Sequence, residues 1–312
     1  MADSNSAQPG MKLPFKSRLL SVLLGLSLLS ACSSALNAND TKVLTLSAKH
    51  SHNLDPKLDE ISGLATSDDK IWGINDSGGE ATLYAFDPQT YQLIQSILLP
   101  QTSNSDWEDL AQDKHYIYVA DTGNNFAIRQ RLNIYKVPLA AIQAKGSVWI
   151  ASIESTQKLT IEYADRQGVL PSKSHNFDSE ALTVVNDKLW LFSKNRADSQ
   201  TKLYKIDREM GEQLIAPVAS YPVGGLITAA DYSAADSKLL LLGYSKRSVF
   251  GHSFVWVIDV KGDLPDWASA IKYKLFPYAQ WESIKWQTNQ RFLVAAEESA
   301  LSEQKIAQFT LP

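Results

Sequence analysis

Five times along this chain a polar residue is followed, two places on, by an aliphatic one, and then by an apolar, β-rich run. The starts are Ser62-Gly63-Leu64-Ala65, Glu108-Asp109-Leu110-Ala111, Glu180-Ala181-Leu182-Thr183, Thr228-Ala229-Ala230-Asp231 and Glu282-Ser283-Ile284-Lys285. The runs are KIWGIND, YIYVADT, KLWLFSK, LLLLGYS and RFLVAAE. A third short strand follows each time: TLYAFD, LNIYKV, KLYKID, FVWVIDV and KIAQFT. The starts are 46, 72, 48 and 54 residues apart. Short strands repeating at such a spacing predict a β-propeller, with four antiparallel strands per blade and the polar start on the innermost strand.

The blade count follows from the ends of the repeat. The last copy supplies WESIKW, RFLVAAE and KIAQFTLP and is one strand short. Lys42–Ala48 alternates like a strand and has no blade of its own, so it is expected to complete the last blade as its outermost strand. Such closure removes exposed edges. The expectation is an all-β fold of five blades closed by an N-terminal strand. Six is the alternative, if residues 138–175 in the long step hold a further blade rather than an outer strand and loops.

Two tripeptides, Asp76-Ser77-Gly78 and Asp121-Thr122-Gly123, carry the pattern that holds the carboxylates of acid proteases. They lie only 45 residues apart, whereas an acid protease takes its pair from separate lobes. Here they end the second strand of successive blades, where Asp, Ser and Gly are turn residues.

In a propeller the innermost strands start, and the second strands end, at the same face. An inner polar ring of Ser62, Glu108, Glu180, Thr228 and Glu282 is therefore expected there. Around it stand Glu60, Asp76, Asp121, Asn124, Lys194, Arg196, Lys246, Arg247, Glu297 and Glu298, read as a ligand-binding face. Three carboxylates facing one axis repel each other and raise one another's pKa. A cation relieves this, and an all-oxygen set suits Ca²⁺. The same glutamates could instead be hydrogen-bonded to neighbouring strands or to channel water. Trp107 and Trp281 precede ring glutamates and are expected to pack between blades rather than to stack on a ligand.

EISGLA at 60–65, DWEDLA at 106–111, DSEALT at 178–183 and WESIKW at 281–286 resemble the blade starts of bacterial SdiA-regulated propeller proteins. More remotely they resemble the five-bladed calcium-activated nucleotidases (apyrases). In those enzymes Ser, Glu, Glu, Ser and Glu on successive innermost strands surround a central Ca²⁺. The resemblance implies that Ser62, Glu108, Glu180, Thr228 and Glu282 do so here, with Thr228 departing from Ser but keeping the hydroxyl. The loops with which the nucleotidases grip nucleotide have no match.

The N-terminal segment reads separately. A basic stretch, Met11 to Arg18, precedes an apolar run, Leu19 to Leu29, which is shorter than the roughly 20 residues a bilayer needs. This is a secretory signal pattern. Leu29-Ser30-Ala31-Cys32 resembles the bacterial lipobox, which implies lipidation of Cys32, the chain's one cysteine. The implied location is the cell envelope, anchored to the outer membrane. Residues 1–31 are then the signal, with 1–10 an over-long start, 32–41 a tether and 42–312 the propeller. A formal charge of −4 leaves no footprint for nucleic acid.

The functional expectation is a monomeric envelope lipoprotein that binds a ligand or partner on its polar face, with Ca²⁺ as cofactor. The alternatives are a Ca²⁺-dependent phosphoester or phosphoanhydride hydrolase, in which Lys194, Arg196, Lys246 and Arg247 hold phosphate, and a lactonase or esterase.

Overall fold

The computed structural model describes residues 44–67, 69–245, 251–300 and 302–312. The signal, the tether, Cys32, Lys246 and Arg247 lie outside the described residues. Five sheets form the five blades of a β-propeller. From the innermost strand outwards, the first blade is Ile61–Ser67, Lys70–Asn75, Thr82–Phe86 and Leu93–Leu98. The second is Asp109–Gln112, Tyr116–Asp121, Leu132–Pro138 and Gln157–Tyr163. The third is Ser179–Val185, Lys188–Ser193, Thr201–Asp207 and Pro217–Tyr221. The fourth is Leu226–Ser233, Lys238–Tyr244, Ser253–Lys261 and Ile271–Phe276. The fifth is Trp281–Trp286, Arg291–Ala296 and Lys305–Thr310, completed by Lys49–Asn53.

The ring therefore closes with an N-terminal strand, but not with the stretch the alternation points to. Lys49–Asn53 pairs antiparallel with Lys305–Thr310. Leu44–Ser47, inside the expected Lys42–Ala48, instead runs parallel to Ile271–Phe276 on the fourth blade. Its Leu46 is buried between the fourth and fifth blades. The same arrangement recurs twice. Ile150–Ser152 lies parallel on the outer strand of the first blade before Gln157–Tyr163 enters the second. Gly211–Ile215 lies parallel on the second before Pro217–Tyr221 enters the third. In each case the chain pairs with one blade on its way to complete the next, which joins the two rims by backbone hydrogen bonds. The long step between repeats thus holds a short helix, Leu139–Gln143, one such rim strand and the second blade's outer strand, not a sixth blade.

Among the described residues the core is five clusters, one between each pair of neighbouring blades. Trp107 and Trp281 are buried in two of them, as packing residues. Fully burying a large apolar side chain contributes about 1.5–3 kcal/mol, and these residues come from both walls of each gap. Polar ties cross the same gaps. Ser62 Oγ donates to the Glu108 carbonyl, Thr122 Oγ1 to that of Ser179 (2.7 Å) and Thr228 Oγ1 to that of Trp281 (3.1 Å).

Asp109, fully buried, reaches further. Its carboxylate accepts from the N–H groups of Leu110 (2.8 Å), Leu182 (2.8 Å) and Ala230 (3.2 Å), joining the innermost strands of three blades. Burial pushes its pKa well up, and the three donors pull it back. Asp109→Ala leaves these N–H groups without an acceptor and should cost about 2–4 kcal/mol. Asp109→Asn, which retains an acceptor oxygen, should cost less. Urea denaturation midpoints measure both, and equal midpoints for wild type and the Ala variant would contradict this role.

Candidate functional site

Four of the five innermost strands do not run straight into their sheets. Pairing with the second strand shifts register between Ser62 and Leu64, Ser179 and Ala181, Ile227 and Ala229, and Trp281 and Ser283. A bulge re-aims the side chains beside it. Here the bulges fall at the ring positions, and three of the extra residues are Glu180, Thr228 and Glu282.

At this face the five blades enclose a polar cavity of about 130 Å³. Ser62 and Asp76 come from the first blade, and Glu108 and Asn125 from the second. The third supplies Glu180, Lys194 and Arg196, the fourth Tyr244, and the fifth Gln280, Glu282 and Glu297. The volume is close to the roughly 150 Å³ that holds one benzene ring in an apolar site. It admits an ion with a few waters, or one small polar group. A whole nucleotide does not fit inside.

The two bases in the cavity are already engaged. Lys194 is buried and pairs with the Glu180 carboxylate, and its ammonium lies 5.2 Å from the Tyr244 ring centroid. Burial disfavours that ammonium most strongly, but Glu180, Tyr244, Glu282 and Glu108 together outweigh it and hold its pKa well above the lysine range. Arg196 pairs with Asp178 (2.9 Å), reaches Glu180 (3.4 Å) and donates to Asn125. Next to the cavity, Arg129 pairs with the buried Asp121 (2.9 Å).

Five carboxyl groups remain: Asp76, Glu108, Glu282 and Glu297 line the cavity, and Asp106 stands beside Asp76 and Glu108. Among the described residues none of them has a basic partner within ion-pair distance. Burial raises every one. Asp76 is pushed to about 7, with Asp106 adding to it. Asp106 is pushed to about 6, with Asp178 adding. Glu282 reaches about 8 and Glu297 about 7, each by burial first. Glu108 stands well above the carboxylate range, by burial and then by Glu180. It is 5% exposed. Among the described residues no N–H or O–H group donates to its carboxylate. Oxygens of Asp76, Asp106 and Glu108 lie within 4.8 Å of one another, as do oxygens of Glu108, Asp178 and Glu180. These are oxygen donors only, which fits a hard cation such as Ca²⁺.

The sequence-derived residues divide accordingly. Ser62, Glu108, Glu180 and Glu282 of the inner ring line the cavity, with Asp76, Lys194, Arg196 and Glu297. Thr228 is buried outside it, its hydroxyl on the fifth blade. Asp121 and Asn124 are buried and build the wall. Asp121 accepts from the N–H of Asp106 (3.0 Å), and Asn124 accepts from that of Arg129 (2.9 Å). Glu60 and Glu298 are exposed and contribute main-chain bonds, from Asp76 N–H to the Glu60 carbonyl and from Glu298 N–H to that of Asp59.

Both tripeptides end a second strand, and Ser77-Gly78 of the first is a turn, but in the second Asp121 closes the strand and the turn comes later, at Asn125-Phe126, leaving Thr122 and Gly123 other roles. Thr122 ties the third blade, and Gly123 leaves room for carboxylates. A Cβ on Gly123 would stand 2.1 Å from Glu108 Oε1 and 2.5 Å from Asp106 Oδ2.

Sequence reasoning missed Asp106, Asp178, Tyr244 and Gln280. Three of these carried a signal. Asp106, Asp178 and Gln280 each stand two places before a ring glutamate, a polar position that repeats with the blades.

No protein-family model matches the chain, and no curated protein does. Similar solved structures include the computationally designed Ika4 protein, at 16% identity over 65% of this chain and 94% of that one, with a TM-score of 0.32. A chain of the mitotic checkpoint complex matches at 11% identity over 81% of this chain and 64% of that one, TM-score 0.38. The RRP9 WD40 repeats match at 9% identity over 87% of this chain and all of that one, TM-score 0.44. The propeller assignment rests on this chain's own five sheets.

Proposed function

We infer that this propeller is a binding module of a bacterial envelope, tethered by a lipid on Cys32, that holds Ca²⁺ in its cavity and takes a ligand or partner on the surrounding polar face. The observation that carries the reading is Glu108, a largely buried carboxylate that lines the cavity and, among the described residues, accepts from no protein donor, set among four other carboxyls that have no basic partner within ion-pair distance among those residues. Such a group is costly to bury uncompensated, and a divalent cation compensates it. Glu108 with its neighbours would hold the ion. The bound ion would supply fixed positive charge at the mouth of the face.

The hydrolase alternative asks Lys194, Arg196, Lys246 and Arg247 to grip phosphate. The last two lie outside the described residues, but Lys194 and Arg196 are held by carboxylates and the cavity is small, which favours binding. Equilibrium dialysis against labelled Ca²⁺ tests it. One ion retained per chain is expected, and none retained would remove the cation from the account.

The tether has its own test. Wild type should fractionate with membranes, and Cys32→Ser should yield a soluble form or an uncleaved precursor. Soluble wild-type protein with a free thiol would overturn the anchor.

A further inference from the structure

We propose that the cation is held between the first and second blades, on Asp76, Asp106 and Glu108, and not by the ring of inner-strand residues as a whole, because the ammonium of Lys194 already serves the Glu180 side. This rests on the reading that the cavity binds Ca²⁺ at all.

Lys194 comes from the end of the third blade's second strand and is buried against Glu180. A divalent ion bound by Glu180 would have to displace a paired ammonium and sit close to it. Two cations a few ångströms apart repel strongly away from bulk water. Arg196 adds a second positive group on the same side, paired with Asp178 and reaching Glu180. The third blade therefore neutralises its own carboxylates.

The opposite wall has no base in ion-pair contact with its carboxyls among the described residues, and Lys194 and Arg129, each paired elsewhere, act on them only from a longer distance. Asp76 and Asp106 are partly exposed, Glu108 is buried, and none is ion-paired among the described residues. Their oxygens within 4.8 Å of one another match ligands on opposite sides of an ion bound at roughly 2.4 Å. Partial exposure of the two aspartates leaves an entry path and room for water ligands. Gly123 completes the cradle, since any side chain there would run into Glu108 and Asp106. The tripeptide Asp121-Thr122-Gly123 thus shapes a cation pocket, with Gly123 acting through the space it leaves.

The test is calorimetric titration of the full chain with Ca²⁺, for wild type, Asp106→Asn, Gly123→Ala and Glu282→Gln. Asp106→Asn should weaken binding at least tenfold. Gly123→Ala, which changes no charge, should also weaken it about tenfold, while its melting temperature in EDTA stays near that of wild type. Glu282→Gln should change affinity less than threefold. If Glu282→Gln abolishes binding while Asp106→Asn and Gly123→Ala bind as wild type does, the ion belongs to the axial ring and this placement is wrong, with the calcium reading intact. If wild type itself binds no Ca²⁺, both fall.

Discussion

A chain that begins at residue 54 should lose on the order of 5 kcal/mol of stability, and one that begins at residue 42 should lose almost none. The shorter chain lacks Lys49–Asn53, which pairs at four positions with the last strand, and Leu44–Ser47, which pairs at four with the fourth blade. It also lacks buried Leu46. One apolar side chain contributes roughly 2 kcal/mol. The lost ladder bonds contribute about 0.5–1.5 kcal/mol each, less what water restores. The sum is comparable with the whole stability of a typical domain, about 5–15 kcal/mol. It corresponds to a drop in melting temperature of roughly 10 °C or more. The outer edge of Lys305–Thr310 would also be left unpaired, a template for aggregation. Thermal melts of the two truncations against wild type measure this. An unchanged melting temperature for the chain starting at residue 54 would mean that the N-terminal strands do not close the ring.

That strand also shows where sequence legibility stops. The five blades were readable because their inner strands are buried runs at a regular spacing. The closing strand, KHSHN, is exposed along its whole length, so neither alternation nor hydrophobicity marks it. Leu44–Ser47 has one buried position, Leu46, and alternates for that reason. The alternation was a true strand signal, but it could not say which blade the strand joins. Ile150–Ser152 and Gly211–Ile215 escape in the same way, as short, largely exposed rim strands.

At the site, the ring positions were legible from the repeat. The pairing of Lys194 with Glu180 was not, because it depends on the bulge that turns Glu180 inward. Asp109 was hidden for a related reason. It directly follows Glu108, and nothing in the sequence says that one of two adjacent acids faces the cavity while the other joins three strands. Thr228 shares its place in the repeat with Glu108, but its hydroxyl is committed to the Trp281 carbonyl.

Glu108→Gln should abolish the effect of calcium on this protein while leaving its fold intact. The substitution keeps the shape of the side chain and removes the charge of the one ligand common to both carboxylate groups. Affinity for Ca²⁺ should fall a hundredfold or more. In EDTA the variant should melt no lower than wild type, because it removes the charge of a largely buried carboxyl that accepts from no protein donor among the described residues. Wild type, by contrast, should gain RT ln(1 + [L]/Kd) from the ion, about 2.7 kcal/mol at a hundredfold excess over Kd. For a domain of this size that is a rise of roughly 5–10 °C. The deciding measurement is the melting temperature of both proteins in EDTA and in millimolar Ca²⁺. A rise of that size for wild type and none for Glu108→Gln is the predicted result. Equal melting temperatures for wild type in the two buffers, with no ion retained after dialysis, would contradict the account and leave these carboxyls as buried, partly protonated groups of a propeller that binds no metal.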